Sequence, residues 1–534
     1  MSAPIQQLDV VIVGSGFAGV YMLHTARKLG LNARVLEAGS GPGGTWFWNR
    51  YPGARCDIES MQYSYQFDRD LQQEWQWSER YAAQPEILAY IDNVIERFDL
   101  ANDIQFNTRV ASAIFDEVNG RWIVETSAGE KFSSKFCIMA TGCLSVANMP
   151  DIKGRETFSG PVYHTGQWPQ EGVDFSGLKV AVVGTGSSGI QTIPLVAEQA
   201  AQLTVFQRTP AFTVPARNRA LTQSETDEIK ANYDAYRARG KSQDLAWDSA
   251  PNEKAASELS DKEIVAECEH RWEMGALFWY GAFSDLLIDQ KTNDIVAEFV
   301  RGKVRKMVTD PKVADILAPH SVFGCKRVCA DTNYYATYNR DNVSLIDISS
   351  TPIDEITSDG IRVDDTLYEF DAIIFATGFD AMTGSLNKID IRGRNGLELK
   401  DKWAAGPRTY LGLQTAGFPN LFTISGPGSP SVLTCMVTSI EQHVEFIRDA
   451  IVYLREHDLK YIEATVEAED AWVDHVNEVA GSTLLNNCNS WYLGANVPGK
   501  PRVFMPYLGF AAYATKCEEV AQEGYEGFVL GAAV

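Results

Sequence analysis

Two glycine-rich turns carry residue types suited to holding phosphate. The first, Gly14-Ser15-Gly16-Phe17-Ala18-Gly19, follows the apolar run 8–13, and the second, Gly184-Thr185-Gly186-Ser187-Ser188-Gly189, follows 178–183. In such a turn the first glycine permits the tight bend and the second lets the backbone approach a pyrophosphate. The third allows close helix–strand packing, and the helix N-terminus faces the anion. The two turns differ in the residues downstream of them. Glu37 lies at the end of the next apolar run of the first copy, where a carboxylate accepts hydrogen bonds from ribose hydroxyls. The comparable place in the second copy reads Gln207-Arg208-Thr209. A cation there suits a 2′-phosphate, which a carboxylate would repel, so this turn is expected to prefer NADP over NAD; the alternative for Arg208 is a surface ion pair. An acid in one copy and an arginine in the other imply FAD bound first along the chain and NADPH second.

These turns work only if strands and helices position them. Each is preceded by a strand pattern, followed by a helical one, and completed by a further strand at 33–36 or 203–206. Two later apolar runs, 136–142 and 372–378, both end in Ala-Thr-Gly and are expected to close the two sheets, with the chain crossing between domains just after each. Between about 218 and 319 glycine becomes rare and Ala, Glu, Asp, Lys and Arg dominate, which reads as a helical insertion. The expected fold class is α/β, with two Rossmann-like dinucleotide-binding domains (FAD and NADP) and a helical insertion in the NADP domain. The expected divisions are 1–146 and 382–534 for the two parts of the FAD-binding domain, 147–217 and 330–381 for the two parts of the NADP-binding domain, and 218–329 for the insertion. The last segment carries a substrate loop and a mobile loop.

Composition narrows the function. A chain of 534 residues exceeds one ordinary core, so two to four domains are expected. Forty-seven Lys and Arg against 70 Asp and Glu give a net charge of −23, which argues against binding nucleic acid through a basic face. The apolar runs have strand length, short of the ~20 residues of a membrane span, and residues 1–8 carry no leader pattern. A cytoplasmic protein without membrane or nucleic-acid partners is expected, monomeric or weakly oligomeric. The nine irregularly spaced cysteines, with no C-x-x-C, read as reduced thiols, and the seven histidines offer no metal-binding pair. The lack of C-x-x-C also weighs against disulfide reductases, leaving N- or S-oxygenating and ketone-oxygenating flavin monooxygenases among proteins with two dinucleotide domains.

The stretch Phe158-x-Gly160-x-x-x-His164-x-x-x-Trp168-Pro169, just before the second turn, resembles the fingerprint of type I Baeyer–Villiger monooxygenases, most closely the phenylacetone and steroid monooxygenase branch. So do residues 43–57 (GGTWFWNRYPGARCD), Lys326-Arg327, and Trp491-Tyr492-x-Gly494-Ala495-Asn496. The resemblance spans about 9–530. It implies oxidation of a ketone to an ester or lactone with NADPH and dioxygen, through a flavin 4a-peroxide stabilised by Arg327. Arginine suits that task because it holds its charge and supplies no proton at neutral pH. Asp57 is implied as its partner, the bland alternative being a structural ion pair. Thr45, Trp46, Trp48, Tyr63, Val110 and Met436 are implied to line FAD, together with Gly14, Gly16, Phe17, Gly19, Glu37 and Asp57. The implied NADP contacts are Arg55, Cys56, Thr185, Gly186, Ser187, Ser188, Gly189, Gln191, Arg208, Thr209, Lys326, Arg327 and Trp491, although a lone Trp is more often simply core. Ser431, Val432, Leu433 and Thr434 follow a Gly-Pro-Gly turn where the family has a substrate loop, and the apolar members suit a bulky ketone. His164 is read as a structural or hinge residue, since the reaction needs no base there, and Trp168 as packing. No metal is expected. The rival activities are N- or S-oxygenation by a related flavin monooxygenase, and a silent nucleotide-binding flavoprotein.

Overall fold

The computed structural model describes residues 5–532; residues 1–4, the start of the stretch read for a leader, and 533–534 lie outside the described residues. The glycine turns sit at the ends of two separate sheets. In the first, strand Gln6–Val13 lies between Ala33–Leu36 and Lys131–Met139, parallel to both. In the second, the order is Val343–Asp347, Gln202–Gln207, Lys179–Val183, Ala372–Phe375, Val162–His164, all parallel. Val10, Val11 and Ile12 are completely buried, as are Val180, Ala181 and Val182. A parallel strand covered on both faces is apolar throughout, which is why these runs lack alternation. The chain is therefore an α/β protein with two Rossmann-type sheets.

Each turn passes into a helix, Phe17–Lys28 or Ser187–Gln199. The third glycine is dictated by contact rather than torsion: a Cβ on Gly19 would lie 1.8 Å from the carbonyl oxygen of Gly14, and one on Gly189 would lie 2.3 Å from that of Gly184. The long helix Met436–Glu456 packs on Phe17–Lys28, so the chain end covers the first sheet. Residues 223–317 supply helices, four of which start on side-chain caps. Thr222 and Ser260 form capping boxes with Glu225 and Glu263, and Asp289 and Asp310 accept from the first free amides of their helices.

The two Ala-Thr-Gly runs differ from their expected form. The strands stop at Met139 and Phe375, and the tripeptides begin the loops beyond them. The reason is that the strand edge meets the nucleotide cavity: Ala140 and Ala376 make the last ladder bonds, to the carbonyls of Val13 and Val183. The two segments beyond then pair with each other. Asn148 N–H donates to Gly378 O, Asp380 N–H to Val146 O, and Thr377 Oγ1 donates to Asn148 O. Three features carry no glycine signal and are not apparent from the sequence: the antiparallel strands Val110–Asp116 and Arg121–Thr126, the three-stranded sheet within 355–369, and the late strands Asp390–Arg392 and Leu421–Thr423, which return to the first sheet.

Candidate functional site

Between the two sheets lies a cavity of about 1760 Å³, bordered by both glycine turns. A pocket for a single drug-sized ligand measures roughly 300–1000 Å³, so this space has room for two large ligands. At one end Gly14, Gly16 and Phe17 border it, and Gly19 supports them from behind. Gly14 has φ +104°, and a Cβ there would sit 2.6 Å from Ala140 O, so no other residue makes this bend without displacing the sheet edge. Glu37 is buried, receiving Ser15 N–H at 2.8 Å, Ser15 Oγ–H at 2.9 Å and Gly39 N–H at 2.7 Å. These bonds fix its carboxylate at the cavity wall. Thr45, Trp46, Trp48, Tyr63, Val110 and Met436 border the same end. Trp46 donates its indole N–H to the Tyr63 hydroxyl at 3.2 Å, and the Tyr63 ring meets Phe17 edge-on at 5.4 Å, which makes one rigid aromatic wall.

At the other end Thr185, Gly186, Ser187, Ser188 and Gln191 line the cavity, while Gly189 packs behind against Gly184. A Cβ on Gly186 would touch nothing within 4 Å, so the turn opens toward the space an anion would occupy. Gln191 is held by Tyr51, whose hydroxyl donates to its amide oxygen at 2.8 Å, and its amide donates to Arg55 O at 3.1 Å. Arg208, Thr209 and Lys326 close this end. Arg208 and Lys326 pair with no carboxylate among the described residues, and the Lys326 pKa is lowered by burial and then by the Arg208 charge. Two facing cations without an acid form a site for a multiply charged anion. Arg55 borders the cavity, but its guanidinium is committed to Glu79 and to the Tyr81 carbonyl. Cys56 is buried in the wall beside it, where burial pushes its thiol pKa well up.

Arg327 and Asp57 meet where the two ends join. The guanidinium donates from Nε to Asp57 Oδ2 at 2.6 Å and from Nη2 to Oδ1 at 2.9 Å, a bidentate pair, and from Nη1 to Val432 O at 2.8 Å. Burial opposes its charge, and the Asp57 carboxylate more than offsets this, so its pKa is raised. The side chain remains 19% exposed, which leaves the cation accessible from the cavity.

Val432 and Thr434 border the large cavity. Leu433 instead faces a small adjoining one, lined also by Arg327, Leu245, Trp247, Leu277, Tyr280 and Tyr492. Ser431 is fully buried at φ +37°, with its hydroxyl on the Met382 sulfur, and borders neither. The residues from 245, 247, 277 and 280 belong to the helical region and carry no motif, so only the fold reveals them. Their one sequence signal is a local excess of Leu and Trp in an otherwise charged segment. Tyr280 lacks even that signal, yet its hydroxyl accepts Val328 N–H at 3.2 Å, one residue from Arg327.

His164 ends the strand that pairs with Ala372–Phe375. Its Nδ1 accepts Gly166 N–H at 3.0 Å, Nε2 lies 3.3 Å from Thr377 Oγ1, and burial lowers its pKa to about 4. It is a neutral fastener between the two crossings, and Trp168 is buried beside Tyr163. Trp491 borders the large cavity half-buried, its ring 4.3 Å from that of Tyr492. The reading of nine reduced thiols needs correction: Cys325 and Cys488 form a disulfide across 163 residues with Cα atoms 6.2 Å apart, a pairing that irregular spacing along the chain cannot disclose. Among the described residues no group of three or more His, Cys, Asp or Glu is placed to hold a metal, and no helix is long and apolar enough to cross a membrane.

Comparison with known proteins places this geometry among relatives. The profile of the pyridine nucleotide-disulphide oxidoreductase family matches residues 11–242. The chain is 41% identical to phenazine N-monooxygenase PhzNO1 of Lysobacter antibioticus, over 98% of this chain and 97% of that protein. It is equally 41% identical to a Baeyer-Villiger monooxygenase of Pseudooceanicola batsensis, over 98% of this chain and 96% of that one. A solved structure of oxidized steroid monooxygenase bound to NADP superposes with a TM-score of 0.95 at 50% identity, covering 99% of this chain and 100% of the other.

Proposed function

The chain belongs to the Baeyer–Villiger monooxygenase family, and on that premise we propose that it oxidises ketones to esters or lactones, consuming NADPH and dioxygen and releasing NADP⁺ and water. The observation that carries this reading is the Arg327–Asp57 pair at the junction of the two nucleotide ends. The residues present fit both cofactors. The Gly14 turn, Glu37 and the Trp46–Tyr63 wall suit FAD, and the Gly184 turn with Arg208 and Lys326 suits NADPH. When bound, this pair of groups supplies hydride transfer and dioxygen activation. The division at 146, 217, 329 and 381 accords with the same reading, with the FAD-binding part formed by both chain ends.

What the protein adds is a fixed field and a shaped space. Attack on a ketone carbonyl drives negative charge onto its oxygen, and a preorganised cation beside that position lowers the barrier. Arg327 is held for this by three hydrogen bonds and supplies no stray proton at neutral pH. The residues Leu245, Trp247, Leu277 and Leu433 line a small space against the same guanidinium and give it an apolar border. Trp491 borders the large cavity and Tyr492 the small one.

The test is a panel of aryl, cyclic, linear and steroid ketones with purified yellow protein, NADPH and air, read by mass spectrometry. Ester or lactone heavier than the ketone by one oxygen atom is expected. NADPH consumption that no ketone turns into ester would overturn the reading. A second reading, N-oxygenation of an aromatic heterocycle, is favoured by the phenazine N-monooxygenase relative, and a phenazine in the panel separates the two by its N-oxide.

Arg208→Ala is expected to raise the KM for NADPH and leave that for NADH nearly unchanged. A lost charged hydrogen bond costs about 1.5–3 kcal/mol, roughly ten- to 150-fold. Steady-state kinetics with both coenzymes checks this, and an unchanged preference would show that Arg208 does not meet the 2′-phosphate.

A further inference from the structure

Seven of the nine cysteines are free, and all seven are buried. Cys56, Cys143 and Cys329 border the large cavity, yet burial raises the thiol pKa of Cys143 to about 12 and of Cys329 to about 11, which keeps them protonated and unreactive. Cys488 differs, being only partly buried and bordering the cavity, while its partner Cys325 is completely buried and immediately precedes Lys326 and Arg327. The bridge thus joins the segment bearing the central cation to the loop bearing Trp491 and Tyr492.

The far side of that loop is anchored several times. Asn148 Nδ2 donates to Asn496 O at 2.9 Å, Asn496 Nδ2 to Phe379 O at 2.7 Å, and Lys500 pairs with Asp380 at 2.6 Å. All three contacts lie on the two inter-sheet crossings. On the near side, residues 486–490 make no hydrogen bond beyond the loop itself among the described residues; within it Ser490 N–H donates to Cys488 O, and Ser490 O accepts Leu493 N–H and Ala495 N–H. Between Leu484, whose N–H reaches Leu287 O, and the far anchors, the loop is held to the rest of the protein by the disulfide and by Tyr492, whose ring is buried and whose carbonyl accepts Met505 N–H at 3.0 Å.

We propose that Cys325 and Cys488 form a reversible thiol–disulfide modification site, oxidised by peroxides and reduced by dithiols, which locks the Trp491 loop onto the Arg327 segment. Oxidation breaks two S–H bonds and forms one S–S bond; two electrons and two protons pass to the peroxide, whose O–O bond breaks to give two waters when the oxidant is hydrogen peroxide. In reduction a dithiol attacks Cys488, the less buried of the two residues and the one on the cavity border, and expels the Cys325 thiolate. The second thiol of the reductant then displaces the mixed disulfide, and both cysteines are left as thiols. Release of the loop withdraws Trp491 from the nucleotide end. That last consequence rests on the NADP reading above, whereas the modification itself does not.

The experiment uses the FAD-loaded protein, treated with stoichiometric hydrogen peroxide or with dithiothreitol. Denaturation, alkylation and peptide mass mapping are expected to show the Cys325 and Cys488 peptides linked after peroxide and separately alkylated after dithiothreitol. Tryptic cleavage after Arg502 is expected to quicken on reduction, and the Kd of NADP⁺, read from the flavin absorbance change, to rise. Loss of one tether lowers the competent loop population, and both effects are expected at about three- to tenfold. Cys488→Ser is expected to match the reduced protein under both treatments. Absence of a linked peptide after peroxide, or a cleavage rate that differs less than twofold between the two states, overturns the proposal. If NADP⁺ binds in neither state the nucleotide reading fails, and the peptide map with the cleavage rate still decides the lock.

Discussion

Arg327→Ala is expected to consume NADPH and form almost no ester. Removing one preorganised donor at a developing oxyanion costs about 10²–10³ in rate. Arg327 supplies a full charge as well, so a loss at or beyond the upper end of that range is expected. Hydride acceptance draws on the two glycine turns, the aromatic wall and Arg208, none of which depends on this side chain for its hydrogen bonds. Reduction of the flavin by NADPH is therefore expected to persist, with oxygen leaving as hydrogen peroxide. Measuring NADPH consumption, peroxide and ester in one reaction checks the split. Ester formation within tenfold of the parent would remove Arg327 from the chemistry. Arg327→Lys keeps the charge but loses the fork, since a lysine ammonium reaches one carboxylate oxygen as a point charge. It is expected to recover part of the ester and no more.

The parts of this protein that are legible in its sequence are those where backbone geometry constrains residue type. Gly14, Gly19, Gly184 and Gly189 have to be glycine because a Cβ would meet a backbone carbonyl, so the two sheets announce themselves. Glu37 and Arg208 are placed by position along the same frame. Arg327 and Asp57 lie 270 residues apart and meet only through the fold; a family resemblance joins them, and spacing alone does not. The small cavity beneath Arg327 is not legible. It is assembled from Leu245, Trp247, Leu277, Leu433 and Leu508, which lie in turns and short 3-10 segments, where an apolar residue follows no period that marks the surface it will face. The Cys325–Cys488 bridge escapes the sequence for a related reason, because proximity of two thiols is a property of the folded loop. Ser431, expected in the substrate loop, is turned inward by its positive φ, a conformation that its sequence neighbours Pro430 and Val432 do not signal.

Asp57→Ala is expected to lower ester formation by about 10², and the outcome turns on which of two opposed effects is larger. A carboxylate 2.6 Å from the guanidinium partly cancels its positive field, so removing it strengthens the charge seen by a developing oxyanion. Against this, Asp57 accepts two of the three hydrogen bonds that fix Arg327, leaving only Val432 O. An arginine freed in this way regains up to about 2 kcal/mol of rotamer entropy, and displacement of a reacting group by about 1 Å costs about 10² in rate. Orientation therefore outweighs field strength. Stability is expected to fall as well, by less than the roughly 3–5 kcal/mol of a fully buried broken pair, since both partners keep some exposure. The double variant separates positioning from an independent role. If Asp57 acts through Arg327, Asp57→Ala costs almost no further ester formation once Arg327 is alanine, because groups acting as a unit are not additive. A further hundredfold loss in that background would mean that Asp57 acts on the reaction by itself, and that the bidentate pair is a feature of packing.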